Sequence, residues 1–366
     1  MQHPVHRLVT DRQDIRRVRW ESVEGGDLPE GAVRARIDAF ALTSNNITYA
    51  AFGEAMSYWA FFPTGDAATG LVPVWGFATV VESRCAAVPA GERLYGYWPI
   101  ASHATLLPAQ VREAGFVDAS AHRAALPAVY NRYRRCAADP GYDAAREAEQ
   151  ALLQPLFATA FLIDDFLHDQ GFFGARQVLL SSASSKTAYA TAFCLAQRGG
   201  DVARVGLTSP AHLGFTRGLG CYTDAVAYES IAGLDAAVPS VYVDFNGSAA
   251  VRAAVHGRFG DRLAHSCAVG TTDWSRFGSS KGLPGPKPVF FFAPARIEKR
   301  TADWGAAVLN ARIAESWKAF LRRVSDPAQP WLHVAHGHGP EAIAAAYAAL
   351  AEGRASPHDG QMLHFR

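Results

Sequence analysis

Hydrophobic and polar side chains alternate through the first part of the chain. Val33-Arg34-Ala35-Arg36-Ile37-Asp38-Ala39-Phe40 and Gly76-Phe77-Ala78-Thr79-Val80-Val81-Glu82 follow the period of two that a half-buried strand requires. Residues 1 to about 110 therefore read as mostly β. The aromatic run Met56-Ser57-Tyr58-Trp59-Ala60-Phe61-Phe62-Pro63 is too short and too interrupted for a helix and reads as a loop with a hydrophobic face. From about 111 to 150 the chain is rich in Ala, Arg and Glu, with Asp139-Pro140-Gly141 as the main break. That composition predicts an inserted segment of two helical pieces around a loop.

At 151–170 the period changes to that of a helix, with Leu152, Leu156, Phe157, Ala160, Phe161, Ile163, Phe166 and Leu167 on one stripe and Gly171 and Gly174 as the stop. Short apolar strands then alternate with helices: 177–180 before 187–198, 204–207 before 211–219, and 241–244 before 249–259. Such βαβ units predict a parallel sheet covered on both faces, a doubly wound domain. A strand at 332–334, a loop at 336–340 and a helix at 341–352 closed by Gly353 end the chain and are expected to return to the first domain.

Length and composition narrow the class. At 366 residues the chain has room for two domains, and 49% hydrophobic against 19% charged residues excludes a disordered protein. The net charge of +1 provides no field to recruit nucleic acid or an anionic membrane, so a small-molecule partner is expected. Charged residues break every apolar stretch near the N-terminus and no membrane-length apolar run follows, so the expected location is the cytoplasm. Cys85, Cys136, Cys194, Cys221 and Cys267 have neither zinc-ligand nor disulfide-framework spacing and read as single thiols.

The strongest chemical signal is Ser181-Ser182-Ala183-Ser184-Ser185-Lys186-Thr187, which follows the first strand of the βαβ region and opens its first helix. A dinucleotide pyrophosphate would meet free N–H groups and the positive end of the helix dipole there. Ser and Ala replace the glycines of G-x-G-x-x-G, so a serine-capped helix without a ligand is the alternative. A P-loop would need Gly at Leu180 and Ser185, and a penicillin-recognising S-x-x-K would need Ser at Ala183. After the second strand, Thr208-Ser209-Pro210-Ala211-His212 lacks the acid that bonds an NAD ribose. Thr208, Ser209, His212 and Arg217 therefore favour NADP(H) over NAD.

In this order of features the chain resembles the medium-chain dehydrogenase/reductase superfamily, in its zinc-free quinone oxidoreductase and enoyl reductase branch. Residues 177–230 look like that family's strand, phosphate loop, helix, second strand and L-G-A-D-x-x-x-x-Y run, here ending at Tyr228. Pro73-Val74-Trp75-Gly76 onward to Gly96, Val243-Asp244-Phe245-Asn246-Gly247, Ala268-Val269-Gly270 and 341–360 resemble further family segments. The departures are a serine-rich loop in place of A-A-G-G-V-G, no Cys near Asn45 and Asn46 where a zinc ligand stands, no structural-zinc Cys cluster, and no counterpart for 111–150. The resemblance implies a divergent subgroup of α/β fold, with a GroES-like β-rich catalytic domain at 1–150 and 300–366 around a Rossmann nucleotide-binding domain at 151–299. It also implies a homodimer, and an active site in the cleft between the domains.

Without zinc, hydride transfer needs the cofactor, a donor to the developing enolate oxygen and a proton source. Asn45, Asn46 and Tyr49 follow the strand at 35–42 and resemble the family's substrate-facing N-x-x-D loop, with Asn46 to orient substrate and Tyr49 to donate the proton. Tyr58, Trp59, Tyr97 and Trp98 are candidate pocket walls. Tyr130-Asn131-Arg132-Tyr133-Arg134-Arg135 is the one dense basic run, where Tyr130 and Arg132 could hold an anionic tail. The expected cofactor contacts are Ser182, Ser184, Ser185, Lys186, Thr187, Thr208, Ser209, His212, Tyr228, Asn246, Gly270 and Thr271. His333, His336 and His338 lack a nearby ligand set apart from Glu341, so no metal is expected. The resulting expectation is an NADPH-dependent, zinc-independent reductase of an α,β-unsaturated carbonyl, enoyl thioester or quinone. A lyase or hydrolase that has lost the dinucleotide and a non-catalytic nucleotide-binding protein are the alternatives.

Overall fold

The computed structural model describes residues 4–269, 282–356 and 358–366. They form two compact units, Met1–Leu152 with Leu332–Arg366, and Leu153–Trp331. Among the described residues no helix is long and apolar enough to cross a membrane.

The first unit is built on antiparallel strands. Val33–Leu42 pairs with Pro73–Ser83, which pairs with Arg93–Pro99, and the sheet continues through Arg132–Arg135, Gly115–Asp118 and Pro108–Arg112. On its other side Val33–Leu42 takes Asp359–His364, which runs parallel to His333–His338. Alternation along these strands sends Phe40, Val74, Trp98 and Leu363 into one core and Tyr97 into a second, aromatic one, as successive strand residues face opposite ways. The terminal strand extends through His338, across the loop expected at 336–340, because it pairs residue for residue with Asp359–His364.

The segment at 111–150 is not two helical pieces around a loop, and only its last four residues are α-helical, as the start of the helix Glu147–Asp169. It forms two short strands and a series of 3-10 turns. Its composition favours helix, and two glycines and one buried ion pair override that preference. Gly115 sits at φ +149 with the Tyr133 carbonyl so close that a Cβ would lie 2.1 Å from it. A Cβ on Gly96 would lie 2.4 Å from the Tyr133 ring, so Arg132–Arg135 can lie flat on Arg93–Pro99 only with glycine there. Arg123 and Asp118, both buried, pair at 3.1 Å and fix the turns between the strands.

The second unit carries a six-stranded parallel sheet in the order Asp224–Ala227, Ala203–Thr208, Gln177–Leu180, Ser240–Asp244, Leu263–Ala268, Val289–Phe290. This 3-2-1-4-5-6 order is that of dinucleotide-binding folds. The unit extends past residue 299 to Trp331. The helix Ala293–Trp304 is tied to the helix Glu147–Asp169 by Arg296 and Arg300, which share Asp165 at 2.5 and 2.8 Å. The next helix, Ala306–Val324, packs Trp317 and Phe320 on Phe157 with ring centres 5.4 and 4.9 Å apart.

One turn runs against the usual hand of the chain. Gly171, Phe172, Phe173 and Gly174 all have positive φ, between 51° and 74°. Phe173 is held there by stacking on His265, ring centres 4.1 Å apart.

Burial lowers the pKa of His265, of His364 and of His256, whose imidazole lies between the Pro284 carbonyl and the Ser266 hydroxyl at 2.9 and 3.0 Å. For His364, His338 and His336 add to the lowering. The folded protein thus resists protonation at pH values where the unfolded chain, with His near 6.5, takes protons up. Stability is present in full above about pH 6.5 and falls as the pH drops through that value toward the lowered folded-state pKa values. Denaturant unfolding at pH 7.5, 6.5 and 5.5 is expected to record this decline. The His256→Gln variant, which keeps hydrogen-bonding groups but takes no proton, should show a shallower one.

Candidate active site

The helix Ser44–Ala51 positions the first group of residues. Asn46 holds its start: Oδ1 accepts from the Thr43 N–H at 2.7 Å and hydroxyl at 3.1 Å, while Nδ2 donates to the Pro73 carbonyl at 2.8 Å. The Asn46 amide is therefore committed to the cap. Asn45 is half-buried, and Tyr49, one turn on, enters the aromatic core.

Four tyrosines meet in that core. Tyr49 lies 4.5 Å from Tyr58 and 5.6 Å from Tyr97 between ring centres, and Tyr97 lies 4.7 Å from Tyr130. The Tyr58 and Tyr130 hydroxyls are 3.5 Å apart. Phe61, Phe62 and Trp75 complete the cluster. The Tyr97 hydroxyl is buried without a hydrogen-bond partner among the described residues. Burying such groups unpaired is costly, and in folded proteins each one points to a missing partner such as water, an ion or a ligand. Burial raises the pKa of Tyr49 and Tyr130 and pushes Tyr58 up to about 12, so all three remain phenols at neutral pH.

Trp59 and Trp98 lie elsewhere. Trp59 is wedged between Gly53 and Gly70, where a Cβ would come within 2.0 and 2.2 Å of its ring. Trp98 follows Tyr97 in the strand, so it faces the other core, with its Nε1 on the Gly76 carbonyl at 3.0 Å. The basic run is largely neutralised, since Arg134 pairs with Asp139 and Arg135 with Glu92. Arg132 is exposed.

Sequence reasoning missed Trp75 and the ion pair beneath the cluster. Arg123 donates to the Tyr133 hydroxyl at 3.0 Å and lies 4.5 Å from the centre of the Phe62 ring, and the Tyr133 hydroxyl donates to the Tyr97 carbonyl at 2.7 Å. Trp75 lies one residue before the alternating run at 76–82, and its strand pairing puts it opposite Tyr97. Nothing local marked Arg123.

In the second unit the serine loop opens the helix Lys186–Arg198, capped by the Ser185 hydroxyl on the Ala188 N–H. Ser182 takes φ +50, a conformation that glycine adopts without strain. Its N–H donates to the Tyr228 hydroxyl at 3.0 Å, and Asn246 Nδ2 donates to the same oxygen at 2.9 Å. Ser184 Oγ lies 3.3 Å from His212 Nδ1 and accepts from Thr208 at 3.5 Å. The N–H groups of Ser184 and Thr187 have no partner among the described residues. Ser209 precedes a 3-10 turn and is half-buried, and Arg217 donates to the Ala225 carbonyl. Ser181, not anticipated, locks the loop. Its hydroxyl bonds Asp244 at 2.9 Å and accepts from the Phe245 N–H, while Asp244 is clamped by Arg252 at 2.9 and 3.0 Å.

These residues fit a dinucleotide. Free amides at a helix start suit a pyrophosphate. Hydroxyls and an imidazole, with no carboxylate, follow the second strand. Gly270 and Thr271 lie outside the described residues. Near the C-terminus, His336 Nδ1 and His364 Nε2 are 3.0 Å apart and the His338 ring stacks on His364. Among the described residues no group of three His, Cys, Asp or Glu is arranged to hold a metal ion.

The two units and their strand orders define a chain of the medium-chain reductase fold, with a GroES-like β-rich unit and a Rossmann unit. It is similar in fold to CurA from Vibrio vulnificus, at 11% identity over 99% of both chains and a TM-score of 0.59. CurA is also known in complex with NADPH. The yhdH oxidoreductase from Salmonella enterica in complex with NADP is 14% identical over 99% of this chain and 100% of that one, with a TM-score of 0.54. The quinone oxidoreductase from Coxiella burnetii is 12% identical over 100% of both chains, with a TM-score of 0.57. No curated protein matches significantly. A family profile described as protein of unknown function (DUF2855) matches residues 40–356, and the chain belongs to that family.

Proposed function

We propose that the protein is an NADPH-dependent, zinc-independent reductase of an α,β-unsaturated carbonyl, enoyl thioester or quinone, acting in the cytoplasm as a homodimer. The observation that carries this reading is the loop at 181–187, with unpaired Ser184 and Thr187 amides at a helix start and no acid in Thr208-Ser209-Pro210-Ala211-His212. The fold-level likeness to proteins solved with NADP and NADPH supports it.

In this reading the Ser184 and Thr187 amides hold the pyrophosphate with the Lys186 charge. Ser209 and His212 hold the ribose 2'-phosphate, which an acid would repel. Tyr228 and Asn246 fix the backbone at Ser182. The chemistry that bound NADPH supplies is hydride donation to an electron-poor carbon. Tyr49, kept protonated by burial, donates a hydrogen bond and then its proton as charge develops on the substrate oxygen. The unpaired Tyr97 hydroxyl is a second donor, and Tyr58 and Tyr130 flank a planar substrate.

The test is a titration of ligand-free protein with NADPH and NADH, followed by the fluorescence of the reduced nicotinamide. NADPH is expected to bind. Ser209→Asp should weaken it by about tenfold or more through like-charge repulsion while sparing NADH, and Lys186→Ala should weaken both. No binding of either cofactor at millimolar concentration overturns the reading in favour of a lyase or hydrolase without a dinucleotide.

A further inference from the structure

The first unit holds a cavity of about 650 Å³ that shares no residue with the tyrosine cluster. Its volume is that of a small-molecule site. Ile37, Val81 and Phe365 give it an apolar lining, and His6, Arg36 and Asp38 bring polar groups to it.

Arg36 is built to receive an anion. Its Nε donates to Asp38 at 2.6 Å, which fixes the plane of the guanidinium. Its two terminal amino groups have no hydrogen-bond partner among the described residues. Asp38, the only acidic side chain among the described residues that line the cavity, also accepts from Arg93 at 2.8 Å and Thr79 at 2.6 Å, so its charge is met from behind. His6 is oriented by Ser22 through Nδ1 at 2.8 Å, leaving Nε2 unpaired.

We propose that this cavity is a binding site for an amphipathic carboxylate, with the head group on the open end of the Arg36 fork beside His6 and the apolar body over Ile37, Val81 and Phe365. A pre-oriented guanidinium matches a planar carboxylate with two parallel hydrogen bonds. An apolar lining selects against a small polar anion. The proposal is independent of dinucleotide binding.

Calorimetric titration of the full chain with 4-phenylbutanoate, 4-phenylbutanol and inorganic phosphate tests it. Saturable one-to-one binding of the carboxylate is expected. Loss of the charge-assisted hydrogen bonds in Arg36→Met should weaken it about tenfold or more, and Asp38 retains Arg93 and Thr79 in that variant. Val81→Trp, at a position exposed enough to accept a large ring (41%), should obstruct the apolar wall of the cavity and weaken binding. Arg112→Met, on an exposed residue elsewhere in the unit, should leave it unchanged. No saturable binding at millimolar carboxylate, equal binding of the alcohol, binding of phosphate alone, or indifference to both Arg36→Met and Val81→Trp would each overturn the assignment.

Discussion

Replacing Asp118 by alanine is expected to destabilise the first unit by about 3–5 kcal/mol, because it leaves the buried Arg123 charge without its partner. Arg123 is 2% exposed, between Phe61, Phe62 and Tyr133. Asp118 also accepts from the Leu107 N–H, the Ser120 N–H and the Ser120 hydroxyl, so the turn loosens at the same time. On a unit of this size the loss corresponds to roughly 10 °C in melting temperature. The double variant Asp118→Ala, Arg123→Met removes the stranded charge and should recover part of the loss. Thermal unfolding of the wild type, both single variants and the double variant measures the coupling. A double variant less stable than Asp118→Ala would show that the ion pair is not the source of the effect.

The second large effect is on turnover. Once a substrate is found by NADPH-linked assay, Tyr49→Phe is expected to lower kcat about a hundredfold while changing NADPH affinity little, the behaviour of a lost proton donor. The ring packing against Tyr58 and Tyr97 is retained in phenylalanine, so stability should hold. Tyr97→Phe is the contrast. Its hydroxyl is buried and unpaired, so removing it should leave the ligand-free protein as stable or more so, yet raise KM if the hydroxyl meets the substrate. Equal kcat in wild type and Tyr49→Phe would remove Tyr49 from the proposed chemistry.

Three of the six parallel strands, at 177–180, 204–207 and 241–244, were legible because each is a short apolar run that leads into a helix, a local signal. Ser185 and Ser248 cap the helices that begin where the pattern placed them. The segment at 111–150 was misread because Ala, Arg and Glu favour helix locally, whereas Gly96, Gly115 and the Arg123–Asp118 pair act through contacts between distant strands. The aromatic cluster was half legible. Tyr49, Tyr58, Tyr97 and Tyr130 converge, but a list of aromatic residues does not say which face of a strand each occupies, and Trp98 and Trp59 went to the other core. The cavity at Arg36 was not legible at all, since its walls come from strands far apart in the chain and from the C-terminal end.

The left-handed turn at Gly171, Phe172, Phe173 and Gly174 has a stereochemical consequence. Each L-residue held there costs about 1–2 kcal/mol, while glycine is indifferent to hand and a mirror-image residue would prefer the conformation. In a chain assembled by chemical ligation, D-alanine at position 172 would relieve that cost, and the ring contact given up is a loose edge contact with His168, ring centres 6.4 Å apart. D-alanine at position 173 would relieve the same backbone cost but remove the ring that stacks on His265. Two neighbouring phenylalanines with the same backbone hand are thus opposite cases, one tolerated by the turn and the other required by it.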